Sequence, residues 1–239
     1  KLEGFNWLKE LGHTIVPPVP SLFTFNMPNE PIKKLMGVVA NHVSVKIKGT
    51  KLSSEGALLI THWGMSGPAI LKLSSWGARE LQTMNYKFEI LVNWVEGKSE
   101  NEARNFLEEE LKTINKRQIG NKNPFSFPNR LWLFFLEKNE INSETVWNQL
   151  PKKSLNKLIN TLVNDCYKAE GKTTFKEEFV TCGGVSLDEV LFETMESKVC
   201  PGIYFAGEVL DIDAVTGGFN FQAAWTTGFV AGKLKSSPS

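Results

Sequence analysis

A strictly alternating run at residues 42–48 is the strongest constraint on how this chain can fold. In this run, HVSVKIK, polar and apolar side chains take turns, as is typical of a strand with one buried and one solvated face. Further short β-prone runs lie at residues 21–26, 57–61 and 86–94. Pro17, Pro18 and Pro20 predict that residues 17–20 form an extended connector and not a helix. Residues 13–96 are therefore predicted to be mostly β.

The next part of the chain, residues 99–170, is predicted to be helical. Ser99 and Glu102 have the spacing of a capping box, which predicts a helix from there to about Lys116. Another helix is predicted over residues 154–166, where Leu155, Leu158, Ile159, Leu162 and Val163 form an apolar stripe that is expected to be core. Helices are also predicted over residues 4–11, 68–81, 129–137 and 220–235.

Composition narrows the class of protein. The chain has 239 residues, of which 41% are hydrophobic and 22% charged, and this balance is typical of a soluble globular protein. The net charge of +1 favours neither a nucleic-acid nor an acidic partner. The 3 cysteines lack metal-ligand spacing, so we expect a reducing, cytoplasmic location. The longest apolar run, residues 131–136, is far below the ~20 residues of a membrane span.

Two glycine-rich segments near the C-terminus carry the densest chemical signal. Residues 202–206 (GIYFA) predict a buried strand that ends in Gly207 and Glu208. Gly217 and Gly218 then open a helix, whose first N–H groups are unpaired and carry a partial positive charge. Glycine lets a planar ring approach the backbone, and a carboxylate can accept hydrogen bonds from sugar-type hydroxyls. This combination predicts a binding site for an electron-rich ligand.

These segments resemble the C-terminal flavin-binding part of the HI0933-like, or YhiN-like, flavoproteins. Members of this family are described as FAD-utilising dehydrogenases, aminoacetone oxidases and bile-acid reductases. The resemblance extends through residues 179–186 (FVTCGGVS), 194–198 (TMESK), 61–68 (THWGMSGP) and 11–15 (LGHTI), so it covers nearly the whole chain.

The resemblance implies an α+β fold in three parts. An inserted β-barrel-like domain, residues 17–178, is expected to be mostly β to residue 98 and to carry a small helical subdomain at residues 99–170. It interrupts a two-part, Rossmann-like FAD-binding domain, of which residues 1–16 are a remnant and residues 179–239 the strand–loop–helix end. The family's GxGxxG fingerprint is absent, and the chain opens with Lys1 and a helix in progress. We therefore expect a fragment that lacks its N-terminal segment.

The resemblance also assigns roles to single residues. Glu208, after Gly207, corresponds to the ligand of the ribityl chain of FAD. The predicted FAD-binding residues are Thr181, Gly183, Gly184, Gly207, Glu208, Gly217, Gly218, Phe219 and Asn220. Ala214 stands where the family often has glycine, and Cys182 stands where alanine is expected. Both departures concern the conformation of the loops.

The expected activity of the whole enzyme is hydride transfer between the flavin and a small organic substrate, with NAD(P)H as an electron donor. The fragment alone is expected to be inactive and colourless, and to self-associate. His62 is a candidate proton donor or hydrogen-bonding residue near the substrate, and the alternative is a structural role. His13 and His42 are expected to be structural, Cys182 to be unreactive, and Asp211 and Asp213 to cap a loop rather than to bind a metal.

Two alternatives to this activity remain open. Residues 112–130 contain five basic and no acidic residues, interleaved with Phe125 and Phe127, and such a pattern can bind RNA. A flavoenzyme acting on RNA is one alternative, although the net charge and the lack of a nucleic-acid-binding motif favour a small substrate. A non-catalytic binding module is the other.

Overall fold

The computed structural model describes residues 3–171 and 178–233. Its helices are α1 (Glu3–Glu10), α2 (Pro68–Trp76), α3 (Ala78–Thr83), α4 (Glu100–Ile114), α5 (Asn129–Lys138), α6 (Lys152–Val163) and α7 (Phe219–Gly232). Its strands are β1 (Ile15–Phe23), β2 (Phe25–Asn26), β3 (Val39–Ile47), β4 (Ser53–Ile60), β5 (Gly64–Ser66), β6 (Lys87–Asn93), β7 (Asp165–Glu170), β8 (Glu178–Val185), β9 (Val190–Leu191) and β10 (Glu196–Ser197). The mixed α and β content agrees with the predicted class.

Six antiparallel strands form a barrel-like sheet in the order β2-β5-β4-β3-β6-β7. Because the end strands β2 and β7 also contact each other, the sheet is nearly closed. The predicted alternation holds in β3, where Val43, Val45 and Ile47 are buried. A bulge between Ala40 and Val43 interrupts the pairing with β4. The prediction of a barrel-like domain with helices is confirmed.

The helical subdomain begins as predicted and ends differently. The capping box at Ser99 and Glu102 is present at the start of α4, and the apolar stripe of α6 is buried except for Leu155, which is half-buried. The prediction of a helix to Cys166 is wrong, since α6 ends at Val163 and Cys166 lies in β7. Residues 165–170 alternate between buried and exposed positions and pair with β6. Helical spacing thus gives way to strand spacing where a sheet edge becomes available.

The helix predicted over residues 68–81 is divided into α2 and α3 at Gly77. A Cβ at this position would lie 2.7 Å from the Cδ1 of Leu52, because the loop that carries Leu52 packs closely against the chain at Gly77. The close packing explains why glycine stands at the break between the two helices. Ile70 and Leu73 of α2 are fully buried and belong to the barrel core. Helix α2 thereby covers one face of the sheet.

Strands β1 and β8 form a separate antiparallel pair beside the barrel. The predicted extended connector at the prolines is part of β1, with a bulge between Val16 and Val19. Proline lacks an N–H group, so an irregular stretch of this kind accommodates it. Across the pair, a Cβ on Gly183 would lie 2.6 Å from the carbonyl oxygen of Pro17, which explains glycine there.

The predicted strand at residues 202–206 is wrong. Only Tyr204 forms a bridge, with Glu196, and the chain then enters a 3-10 turn over Gly207–Val209. An apolar run becomes a strand only where a neighbouring strand supplies partners, and the described residues supply one bridge here. The sequence also favours a strand over residues 175–181, of which residues 175–177 lie outside the described part of the chain and residues 178–181 belong to β8.

Candidate functional site

A cavity of about 370 Å³ lies where the loop at residues 207–218 and the start of α7 face β1 and α2. Its volume is in the range of small-molecule sites, ~300–1,000 Å³. It is lined by Leu22, Leu71, Val180, Gly207, Glu208, Ile212, Thr216, Gly217, Gly218, Asn220, Phe221, Ala223 and Ala224. One wall is aliphatic and comes mainly from the barrel side, and the other is backbone-rich and comes from the C-terminal region.

The start of α7 is open toward a ligand. Gly218 occupies the N-cap position in the left-handed conformation, with φ of 87°, and no side chain caps the first turn. The unpaired N–H groups of such a turn attract negative charge. A Cβ on Gly218 would meet nothing within 4 Å among the described residues, so glycine is required there by the backbone conformation and leaves space beside the helix start.

The Glu208 carboxylate is held at the opposite side of the loop. Its Oε1 accepts a hydrogen bond from the Thr181 backbone N–H at 2.9 Å. The neighbouring Gly207 N–H donates to the Thr227 hydroxyl of α7, also at 2.9 Å. These bonds fix the 3-10 turn against both β8 and α7. The second oxygen of Glu208 has no partner among the described residues, so it is available to accept a hydrogen bond from a ligand.

Asn220 has a structural task that the sequence did not indicate. Its side-chain amide donates to the Ala214 carbonyl at 2.8 Å and accepts from the Ala214 N–H at 2.8 Å. Both polar ends are therefore used to clamp the loop onto the helix start. The bonds to Ala214 use one of the two amide hydrogens and one of the two oxygen lone pairs of Asn220.

Asp211 and Asp213 hold the same loop onto the barrel side. Asp211 pairs with Arg79 at 3.2 Å, and Asp213 accepts from the Ser21 hydroxyl at 3.2 Å. Arg79 also donates to the Pro17 carbonyl at 3.4 Å. In the described part of the chain no group of three metal-ligating side chains occurs. The two aspartates thus anchor this loop to α3 and β1.

The other predicted ligands of FAD lie near the cavity without lining it. Gly183 and Gly184 pack against backbone, and a Cβ on Gly184 would lie 2.5 Å from the carbonyl oxygen of Val209. Thr181 enters only through its bond to Glu208. The Phe219 ring is 58% exposed and lies beside Gly217. Of the nine predicted residues, five line the cavity: Gly207, Glu208, Gly217, Gly218 and Asn220.

His62, the predicted catalytic residue, does not line the cavity. Its ring is exposed and packs against Trp63, with 4.4 Å between the ring centroids. The turn around it is held by the Thr61 hydroxyl, which accepts from the N–H groups of Trp63 and Gly64. The turn is therefore held by Thr61 and not by His62, and His62 is not among the residues that line the cavity.

His13 and Cys182 are buried in structural positions. The His13 ring lies between the Glu189 carboxylate and the Ser197 hydroxyl, at 3.2 Å from each. Ser197 also accepts from the backbone N–H groups of Val199 and Cys200, so this chain of bonds ties three segments together. Burial raises the pKa of the Cys182 thiol to about 11, and the neighbouring Asp213 adds to the rise. A thiol of this pKa is protonated at neutral pH and unreactive.

The aliphatic wall is the part of the site that sequence reasoning missed. Leu22, Leu71 and Val180 come from β1, α2 and β8, which are far apart in the sequence. Each reads as an ordinary core residue. The one unusual feature is the left-handed backbone of Leu22, with φ of 56°, and a sequence does not show it.

The described helices include none that is both long and apolar enough to span a bilayer.

Comparison with known proteins gives sequence matches to curated enzymes. The chain is 27% identical over 232 residues to the 3-dehydro-bile acid delta(4,6)-reductase of Clostridium scindens, covering 96% of this chain and 56% of the relative. It is 30% identical over 228 residues to the ribosomal RNA dihydrouridine synthase of Escherichia coli, covering 94% and 54%. The ribosomal RNA dihydrouridine synthase of Haemophilus influenzae is 28% identical over 229 residues, covering 95% and 54%. The chain thus spans about half the length of these curated relatives.

The names of these relatives are those of oxidoreductase-type enzymes, and the identities are modest. The family model described as the HI0933-like protein barrel and H2TH domain matches residues 19–180, more than half of the chain. On this match, the chain belongs to the HI0933-like protein family.

Proposed function

We propose that the whole protein is a FAD-dependent reductase, in which this chain holds the ring end of the cofactor and covers the substrate. The observation that carries the proposal is the cavity itself. It combines an uncapped helix start, three glycines with positive φ (Gly207, Gly217 and Gly218) and a carboxylate with a free oxygen, all facing an aliphatic wall. FAD, when bound, supplies the hydride acceptor and donor.

The chain's own groups suit the chemistry of a flavin. The N–H groups at the start of α7 would stabilise negative charge that develops on the pyrimidine edge when the ring is reduced. Glu208 would accept a hydrogen bond from a ribityl hydroxyl through its free oxygen. Leu22, Leu71 and Val180 would exclude water from the space above the ring.

The substrate class rests on the relatives. Dihydrouridine is uridine with two added hydrogens, so a dihydrouridine synthase carries out a reduction. The names of both kinds of relative, the reductase and the dihydrouridine synthase, therefore denote reductions. We propose that this protein likewise reduces its substrate, with NAD(P)H as the donor, and that a small organic substrate lies between the ring and the aliphatic wall. A ribosomal RNA substrate is the second candidate, favoured by the dihydrouridine synthases among the relatives. The cytoplasmic location and the role of His62 stay predictions.

The test uses the full-length protein, purified and dialysed. The wild type should keep bound FAD, and NADH or NADPH should bleach its absorption in the absence of oxygen. Glu208→Ala should weaken FAD binding by about one to two decades, because a charge-assisted hydrogen bond is worth roughly 1.5–3 kcal/mol. Glu208→Gln keeps an acceptor for the Thr181 N–H and should lose less. Glu193→Ala, at an exposed position, is the control.

A pair of glycines separates ligand contact from backbone strain. Gly218 and Gly202 have φ of 87° and 88°, and a Cβ on either would meet nothing within 4 Å. Alanine therefore strains both positions equally, but only Gly218 lines the cavity. Gly218→Ala should lower the FAD content and Gly202→Ala should not. Equal FAD content in the two variants, together with unchanged binding in Glu208→Ala, would contradict the proposed site.

A further inference from the structure

A second groove, of about 630 Å³, shares no lining residue with the cavity. It lies between the bulge of β3, the turn after β6 and the loop before α5. Its lining residues are Val39, Ala40, Asn41, His42, Trp94, Val95, Glu96, Lys98, Phe106, Pro124, Phe125, Ser126, Phe127 and Pro128. The groove therefore joins the barrel to the helical subdomain.

Aromatic rings form a ladder along one side of this groove. Phe106 and Phe125 lie 5.3 Å apart between ring centroids, and Phe125 stacks on Phe127 at 5.8 Å. Phe127 in turn stacks on the buried Trp132 at 6.4 Å. The outer ring, Phe106, is 37% exposed. A ladder anchored in the core and open at its outer end offers a platform on which a further planar ring can stack.

The loops that line the groove are held in place by asparagine side chains. The Asn93 side chain accepts from the N–H groups of Val95 and Gly97. The Asn123 side chain accepts from the Phe125 N–H and donates to the Phe127 carbonyl. Because these bonds fix the loop backbone, the aromatic platform is ordered before any ligand binds.

Hydrogen-bonding groups face the groove from the opposite side. The bulge of β3 leaves Asn41 and His42 both exposed, and neither side chain has a partner in the part of the chain that the structure describes. A bulge of this kind turns side chains away from their regular positions. An amide and an imidazole together can donate to and accept from the edge of a nucleobase.

Unpaired cations lie in the chain segment that leads into the loop before α5, and none of them lines the groove itself. Lys112 pairs with Glu109, and Arg130 donates to the carbonyls of Lys34 and Met36, so these two are occupied. In contrast, Lys116, Arg117 and Lys122 are exposed and pair with no carboxylate among the described residues.

The acidic groups near the groove decide where phosphates can sit. Glu96 in the lining pairs with Lys98 at 3.4 Å. Glu102, one turn before Phe106, is engaged in the helix cap of Ser99, and Glu110 lies one turn after it. A strand of phosphates would therefore run on the side of Lys122 rather than along α4.

We propose that this groove anchors an unpaired nucleotide of an RNA substrate. The base stacks on Phe106 and Phe125, Asn41 and His42 bond to its edge, and the backbone phosphates lie toward Lys116, Arg117 and Lys122. This inference rests on the proposed function in its RNA-directed form. It departs from the small substrate that the composition favours, because the average charge of +1 hides a local, unpaired basic surface.

The test measures binding of a fluorescein-labelled single-stranded RNA oligonucleotide to the full-length protein by anisotropy. Phe106→Ala should weaken binding roughly 5- to 100-fold, since one stacked base is lost, whereas Phe106→Trp should retain it. Replacing Lys116, Arg117 and Lys122 with Ser should flatten the salt dependence by about 2 in the log–log slope, at ~0.7 per phosphate contact. Phe192→Ala, at an exposed phenylalanine outside the groove, is the control and should bind as wild type.

The FAD content of every variant is measured in parallel and should equal that of the wild type. If the protein contains no FAD but its RNA binding depends on Phe106, the proposed function is refuted and the RNA-binding groove is still supported. Absence of RNA binding at low salt, or binding that depends on salt but not on Phe106, would overturn the groove. Displacement of the RNA by a peptide but not by unlabelled RNA would overturn it as well.

Discussion

The two regions of the molecule differ in how they bury apolar side chains. One region is the barrel with its helical subdomain, and the other is the C-terminal region. In α6 the apolar residues form one stripe, and Leu158, Ile159 and Leu162 are fully buried. Helix α7 is apolar on average and has no separate polar face, yet among its residues only Thr227 is buried. Phe221, Trp225 and Phe229 are exposed by 69%, 70% and 65%. A helix that is apolar on all sides is normally an interior helix.

The difference shows that the two regions depend on their surroundings to different degrees. The barrel and helices α4–α6 share one continuous core, which extends from Phe23 to Ala169. The C-terminal region has a small core around Val185, Phe205 and Leu210. Its remaining apolar side chains are exposed to water, which costs free energy until a partner surface covers them. The first region is therefore expected to hold its own stability, and the second to gain stability from what binds it.

The largest expected effect comes from a pair of tryptophans, one in each region. Trp132 is fully buried and donates its indole N–H to the Ile119 carbonyl at 2.8 Å. Trp132→Ala should lower the free energy of unfolding by about 3–5 kcal/mol, and Trp225→Ala should change it by less than about 0.5 kcal/mol. Urea unfolding of the two variants checks this. Similar losses in both would mean that α7 is packed as tightly as the barrel.

The same Trp225→Ala variant also tests the uncovered face of α7. We expect the chain as given to self-associate through this face, and loss of the central ring should reduce the association. Light scattering over a range of concentrations measures it, with Trp76→Ala, an exposed tryptophan of α2, as the control. A wild-type chain that stays monomeric at high concentration would remove the basis for this reading of α7.

A smaller effect is expected at Asp165, a carboxylate buried between the barrel and the helices. It accepts hydrogen bonds from Trp94, Tyr167 and Lys138. Asp165→Asn puts an amide N–H against one of these donors, so we expect a loss of about 2–3 kcal/mol in unfolding free energy. An Ala replacement would also leave a cavity, so Asn, which is close to Asp in size, is the cleaner variant.

The pH dependence of this loss has a definite sign. Burial raises the pKa of Asp165 above its usual value of 3.8, although the bonds from Lys138, Tyr167 and Trp94 oppose the rise. A raised pKa in the folded state adds stability that is full below pH 3.8 and declines as the pH rises through the folded value. The advantage of the wild type over Asp165→Asn should therefore shrink with rising pH. An advantage that grows with pH would show that the ion pair with Lys138 dominates.

The smallest effect concerns Glu189 in the C-terminal region, and its sign is opposite. Hydrogen bonds from Thr14, with a lesser contribution from His13, hold the pKa of Glu189 below its usual value of 4.5. The stability it adds is present above pH 4.5 and is lost as the pH falls through the folded value. Glu189→Gln should cost about 1 kcal/mol at neutral pH, and the cost should vanish in acid. Thermal unfolding from pH 7 downward measures it, and a cost independent of pH would contradict the assignment.

The sequence by itself determined the elements whose signals are local. The alternation at residues 42–48, the capping box at Ser99 and Glu102, and the stripe of α6 all depend on neighbours within one or two turns, and all are present. The Gly217–Gly218 pair likewise predicted the helix start at the cavity, because a left-handed backbone conformation favours glycine in any tertiary context.

The tertiary structure decided whatever depends on partners distant in sequence. Residues 165–170 became a strand because an edge of β6 was free, and residues 202–206 did not because only one bridging partner was there. Long-range packing also produces three features of the site: the clamp between Asn220 and Ala214, the aliphatic wall from Leu22 and Leu71, and the position of His62 outside the cavity lining. Side-chain type and spacing specify local conformation, whereas the neighbours of a side chain are set only when separate elements close around a common core.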